Sequence, residues 1–134
     1  MPANPTQILL AGTGRTDITP APGTPQGGWG AQTHERGTGA DMPLYATALA
    51  LAQGETRILI LDADSIGFDA AWTAKILDAV ANLTGVPKTH IRFSCSHTHS
   101  GPNTFRLKNI TTGLDMAMAY LEILPGQIAE AASQ

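Results

Sequence analysis

A chain of 134 residues with 43% hydrophobic content is long enough for one compact domain with a real core, and too short for two ordinary ones. Charged residues make up 14%, the formal net charge is -3, and Lys and Arg are scattered, which leaves no electrostatic footprint for nucleic acid. No apolar run approaches the roughly 18 to 20 residues of a membrane span, and Met1 to Gln7 lacks the zones of a signal peptide, so the chain as written reads as cytoplasmic, or as secreted if its true start lies further upstream.

In chain order, Ile8-Leu9-Leu10-Ala11 reads as a short strand that stops at Gly12-Thr13-Gly14. Pro and Gly then accumulate through Pro22, Gly23, Pro25, Gly27, Gly28 and Gly30, which predicts an extended loop from about Pro20 to Gly39. Loops of that length are uncommon in compact domains and often functional, and this one carries Trp29 and Arg36. Leu44 to Ala52 and Ile58 to Leu61 flank Gln53-Gly54-Glu55 and read as a β-hairpin. Ile58 to Leu61 lacks alternation, as expected for a strand covered on both faces of a layered sheet. It runs into Asp62-Ala63-Asp64-Ser65, and the carboxyl end of a buried strand is where open α/β sheets place ligands.

From Asp69 to Thr84, Trp72, Ile76, Ala79, Val80 and Leu83 recur at helical spacing. Asp69 suits the N-cap, Gly85 the left-handed C′ position, and Pro87 forbids continuation. A second buried strand, Ile91 to Cys95, follows, so strand, helix and strand suggest a right-handed parallel crossover. Leu114, Met118, Leu121, Leu124, Ile128 and Ala131 carry a helical period to the end, where Pro125-Gly126 implies either a kink or two abutting helices. The predicted fold is α/β: a layered mixed sheet with a β-hairpin, a strand-helix-strand crossover and a C-terminal helix. It forms a single domain over residues 1–134.

Ser96-His97-Thr98-His99-Ser100-Gly101-Pro102 carries the chemistry. If the strand continues into it, His97 and His99 share a face and present two imidazoles side by side, a natural approach to zinc. The hydroxyls of Ser96, Thr98 and Ser100 can orient the rings or a substrate oxygen. With Cys95 as the single cysteine there is no internal disulfide and no Cys-based zinc knuckle, so a metal must use His and carboxylates. His90 lies at the opposite end of its strand, and His34 belongs to the long loop.

Five ordered blocks resemble the neutral ceramidases, zinc amidohydrolases that cut the N-acyl bond of ceramide, and their bacterial relatives. Gly14 to Pro20 looks like the family's opening segment and Gly27-Gly28-Trp29-Gly30 like its glycine-aromatic loop. Pro43 to Leu49 looks like its first long strand, Asp64 to Gly67 like its acidic strand end, and Ser96 to Pro102 matches its HTHSGP signature. The resemblance implies that His97 is a direct Zn2+ ligand and that His99 and Asp64 act in the catalytic pocket, with the reverse assignment of the two histidines left open. It also implies that Gly28, Trp29 and Ser100 contact substrate. Two departures stand out: Asp41-Met42 replaces the His-Asp found before Pro-Leu-Tyr in relatives, and Thr47 stands where they often have Arg.

In the family a second His, a Glu and a Tyr complete the metal set well downstream of the signature, and this chain contains none of them. A catalytic zinc usually needs three protein ligands and one open position. The resemblance therefore implies the amino-terminal portion of a ceramidase-like zinc amidohydrolase, inactive by itself, whose completed form takes a small-molecule amide or lipid-like substrate. The alternative is a complete small metal-binding or catalytically inactive α/β module, which allows a homo-oligomer.

Overall fold

The computed structural model describes residues 8–28 and 34–134. Its four strands form one mixed sheet in the order β1 (Leu10–Asp17), β2 (Tyr45–Gln53), β3 (Thr56–Ala63) and β4 (Ile91–Cys95). The first three are antiparallel neighbours, and β4 runs parallel to β3. The β2–β3 hairpin turns at Gly54, whose φ of 58° lies in the left-handed region that tight hairpin turns require. The layered mixed sheet, the hairpin and the crossover are therefore as the sequence predicts.

The first strand differs from expectation. It runs straight through Gly12 and Gly14 to Asp17, because Gly14 marks a packing contact and not a strand end. A Cβ there would run into the backbone carbonyl of Ala131 and lie 3.0 Å from the Gln134 Cβ. Glycine within a strand commonly marks such an approach of another backbone.

Helix α1 (Ala70–Thr84) connects β3 to β4 and begins and ends as its capping residues dictate. Asp69 accepts a hydrogen bond from the Trp72 amide at 2.9 Å, and Gly85 closes the helix at φ 69°. Its buried stripe is Trp72, Ile76 and Val80. Helix α2 (Leu114–Ser133) is one element that continues through Pro125. Proline removes one intrahelical bond, but Leu121, Leu124 and Ile128 are fully buried on either side and hold the helix against α1 and the sheet. Each such aliphatic side chain contributes about 1.5–3 kcal/mol through burial.

Both helices cover the same sheet face. Ala46 and Ala48 of β2 pair with Ala63 and Leu61 of β3, and all four are buried. On the opposite face, Ile58 and Ile60 are each 38% exposed, whereas Leu59 and Leu61 are 3% and 0% exposed. The unbroken apolar run of β3 suggested cover on both sides; among the described residues only one side has it. Tyr120 of α2 donates a 2.6 Å hydrogen bond to the Ile18 carbonyl, fixing the exit of β1 against the helix. Burial pushes the Tyr120 phenol above its usual range, reinforced by the nearby charge of Asp17.

The described part of the long segment between β1 and β2 has no regular element, as the Pro and Gly content predicts, yet it is stitched to the signature segment. Isolated bridges join Pro25 to Arg36 and Gln26 to Pro102, and the Asn103 amide donates to the Pro25 carbonyl at 2.9 Å. Trp29 and Gly30, singled out in the sequence, lie outside the described residues.

Candidate functional site

Strand β4 ends at Cys95, and the Ser96 amide makes a last bond to the Ala63 carbonyl at 3.0 Å. The two histidines are therefore not presented by the pleat of a strand. Instead His97 takes a left-handed conformation with φ 60°, the only described non-glycine residue to do so. That conformation costs an L-residue about 1–2 kcal/mol, and local strain of this kind gathers at functional sites. The turn sets the imidazoles 5.0 Å apart between centroids, edge to face at 84°.

Each ring is anchored through Nδ1 to a backbone carbonyl. His97 Nδ1 lies 2.6 Å from the Ile66 carbonyl and His99 Nδ1 lies 2.8 Å from the Gly28 carbonyl. A carbonyl can only accept, so both Nδ1 atoms carry the proton and, in the neutral rings, both lone pairs sit on Nε2. Fixing Nδ1–H on a carbonyl is the usual way proteins orient a metal-binding histidine.

The two carbonyls are themselves held. Around Ile66, the Gly67 amide donates to Ser65 Oγ at 3.4 Å, and the Ser65 and Thr104 hydroxyls lie 2.8 Å apart. Thr104 donates to the Gly67 carbonyl at 2.6 Å, so the hydrogen between the hydroxyls belongs to Ser65. Ser65 and Thr104 are both buried, and this closed ring ties the end of β3 to the segment after the signature. Around Gly28, φ is 98°, and an added Cβ would overlap the Ile66 Cδ1 and lie 2.9 Å from His99 Nδ1. At Gly27 an added Cβ would lie 2.6 Å from the Asn103 Cγ. The paired glycines thus let the loop backbone reach the His99 ring.

His97, His99 and Gly28 line one open cleft of about 500 Å³ together with Ile66, Phe105 and Arg106. Among the described residues, Arg106 is the only Lys, Arg, Asp or Glu in that lining. Asp64 and Ser100 line a separate cleft of about 460 Å³ with Thr98 and Asp41. Asp64 Oδ2 accepts the Tyr45 amide at 3.0 Å, so this carboxylate braces the start of β2. Of the residues singled out in the sequence, His97, His99 and Gly28 therefore line one cleft, and Asp64 and Ser100 line the other. Phe105, Arg106, Asn103 and Asn109, which also line the histidine cleft, carry no motif of their own. Their only signal was position directly after Pro102.

Among the described residues, no group of three or more His, Cys, Asp or Glu side chains is placed to hold a metal. His90 Nδ1 lies 3.0 Å from the Arg57 carbonyl, at the far end of β4. In tautomer the pair matches what a histidine needs to bind a metal, with Nδ1 held by a carbonyl on each ring, but two imidazoles are fewer than the three protein ligands a catalytic zinc usually takes. No helix among the described residues is long and apolar enough to cross a membrane.

No protein-family profile matches the chain, and no curated protein matches it in sequence. Its fold does match solved structures. Against the crystal structure of neutral ceramidase from Pseudomonas aeruginosa, 96% of this chain aligns with a TM-score of 0.72 at 20% identity. Against a ceramidase complexed with C2, the same share aligns with a TM-score of 0.69 at 20% identity. The chain spans 22% of the length of each of those structures. The mixed sheet, crossover and C-terminal helix described above are thus a fold shared with part of bacterial neutral ceramidase.

Proposed function

We propose that this chain is the amino-terminal portion of a zinc-dependent, ceramidase-like amidohydrolase. The observation that carries the reading is the pair of Nδ1-anchored imidazoles of His97 and His99 at the end of β4, in a fold shared with neutral ceramidase. His97 is the metal ligand in this reading. Its strained backbone and its bond to the Ile66 carbonyl present Nε2 as the donor. His99 stands beside it, positioned by Gly28, and acts on the substrate or as a further donor. A zinc ion bound there supplies Lewis acidity toward an amide carbonyl and lowers the pKa of a water molecule.

The remaining work falls to the cleft. A volume of about 500 Å³ is in the range of small-molecule sites, and its mix of apolar wall and few polar groups suits an amide substrate. Ile66 and Phe105 offer apolar surface, and Asn103, Asn109 and Arg106 offer donors toward the acyl or amine portion. A small-molecule amide or a lipid-like amide meets these features. Trp29 follows Gly28 in the sequence and is assigned to substrate contact on the sequence resemblance alone.

The test is zinc content and N-acyl amide hydrolysis in a polypeptide that joins these residues to a second His, a Glu and a Tyr ligand. Loss of both on His97→Ala, with folding intact, supports the reading. A zinc-free, inactive longer protein contradicts it and favours a catalytically inactive α/β module, and hydrolysis indifferent to His97 contradicts the assignment of the metal to that residue.

A further inference from the structure

Ser65 and Thr104 are 2% and 1% exposed and stand 39 residues apart in the chain, and neither lines the histidine cleft. A buried hydroxyl is costly unless its hydrogen and a lone pair both find partners. Here both do, and the hydrogens run one way round the ring. Ser65 Oγ accepts the Gly67 amide at 3.4 Å and donates to Thr104 Oγ1 at 2.8 Å, while Thr104 donates to the Gly67 carbonyl at 2.6 Å. Reversing either hydroxyl would strip the Gly67 carbonyl of that donor.

The Gly67 amide nitrogen belongs to the same peptide unit as the Ile66 carbonyl. None of the described peptide bonds is cis, and in a planar trans unit the N–H and the C=O point in opposite directions. Holding the N–H on Ser65 therefore turns the Ile66 oxygen away from the buried ring and toward His97, whose Nδ1 lies 2.6 Å from it. The approach to that peptide is fixed as well. The Ala63 carbonyl accepts both the Ser65 amide at 2.8 Å and the Ser96 amide at 3.0 Å, so the segments leading to Ile66 and to His97 hang from one acceptor. The Nδ1–H bond of His97 is thus the outer end of a hydrogen-bonded chain whose inner end is two buried hydroxyls, and neighbouring bonds in such a chain strengthen one another. Every partner in it lies among the described residues.

We propose that Ser65 and Thr104 are positioning residues for His97, which act through the Ile66–Gly67 peptide to fix the Nδ1–H tautomer and leave the lone pair on Nε2. The effect on the tautomer stands on this geometry alone. The effect on metal affinity rests on the reading of His97 as a zinc ligand.

Nitrogen-detected NMR of the zinc-free 134-residue chain, with both rings neutral and circular dichroism as the check on folding, reads the tautomer of each imidazole. Thr104→Val keeps nearly the same shape and removes the donor to the Gly67 carbonyl. It is expected to raise the Nε2–H population of His97 about five- to tenfold. His99 should be unchanged, because its carbonyl belongs to Gly28. Thr104→Ser restores the hydroxyl and should return His97 to within about twofold of the wild-type population. Ser65→Ala removes the acceptor of the Gly67 amide and should move His97 in the same direction, which keeps the test decisive if Thr104→Val fails to fold. A folded but destabilised variant with an unchanged His97 tautomer would reduce the ring to a tether and overturn the inference, as would equal movement of His97 and His99. In a zinc titration, Thr104→Val is expected to weaken binding about tenfold. A tautomer shift in a chain that takes up no zinc even as wild type upholds the positioning role and contradicts the metal reading.

Discussion

Replacing Gly28 by alanine perturbs the histidine cleft without touching a histidine. The native φ of 98° is unfavourable for any L-side chain, and such strain costs about 1–3 kcal/mol. The new methyl would overlap Ile66 Cδ1 and press on His99 Nδ1 at 2.9 Å, forcing a rotamer shift worth about 0.5–1.5 kcal/mol. If His99 yields, its bond to the Gly28 carbonyl is lost, a further cost of about 0.5–1.5 kcal/mol. The stiffer unfolded chain offsets about 0.4–1 kcal/mol. The expected net destabilisation is therefore about 1–5 kcal/mol with a centre near 3, read by urea denaturation, with a shifted His99 imidazole resonance and His97 much less affected. Combining Gly28→Ala with Ile66→Ala removes one overlap and should recover about 1 kcal/mol, leaving the backbone strain. A destabilisation below about 0.5 kcal/mol with unmoved His99 signals would refute the argument that the loop backbone positions that ring.

Three further outcomes follow from the same geometry. Gly14→Ala drives a methyl into the α2 backbone at Ala131 and should cost about 1–3 kcal/mol, because a backbone carbonyl cannot rotate away as a side chain can. Tyr120→Phe leaves the buried Ile18 carbonyl without its donor and should cost about 1–3 kcal/mol in the same denaturation assay. Burial, followed by the charge of Asp62, pushes the Cys95 thiol up to about 11 from 9.0. Its alkylation at pH 8 should thus be about 100-fold slower than that of a free thiol with the ordinary pKa of 9.0, recovering as pH approaches 11. The sign for stability follows: between pH 9 and 11 the unfolded thiol has lost its proton and the folded one has not, so stability falls as pH rises through that window.

Sequence patterns marked those parts of the fold where one local rule dominates. Asp69, Gly85 and Pro87 bound α1 through capping chemistry alone, and the apolar runs on either side of Gly54 define the hairpin. Gly14 misled because the same residue that ends strands also admits a neighbouring backbone, and only the position of α2 separates the two. Pro125 left two outcomes open because the packing of Leu121, Leu124 and Ile128 decides whether a helix survives a missing bond. At the site, the HxH pair was visible but its geometry was not. The left-handed turn at His97 has no local signature, and the two carbonyls that fix the tautomers belong to Gly28 and Ile66, far away in the chain. Asp64 stands at a strand end and lines a cleft, but not the one lined by the histidines, and the bond from the Tyr45 amide to its carboxylate had no signature in the sequence.

The most direct test of the central claim is nitrogen-detected NMR of the imidazoles of this chain during a zinc titration. Before zinc, His97 and His99 should both be Nδ1–H tautomers, each with its proton on the Ile66 or Gly28 carbonyl. On addition of zinc, the His97 Nε2 resonance should shift with saturation at one ion per chain, and His97→Ala should abolish that saturation. Nε2–H tautomers in the free protein, or a zinc response confined to His34 and His90, would contradict the account.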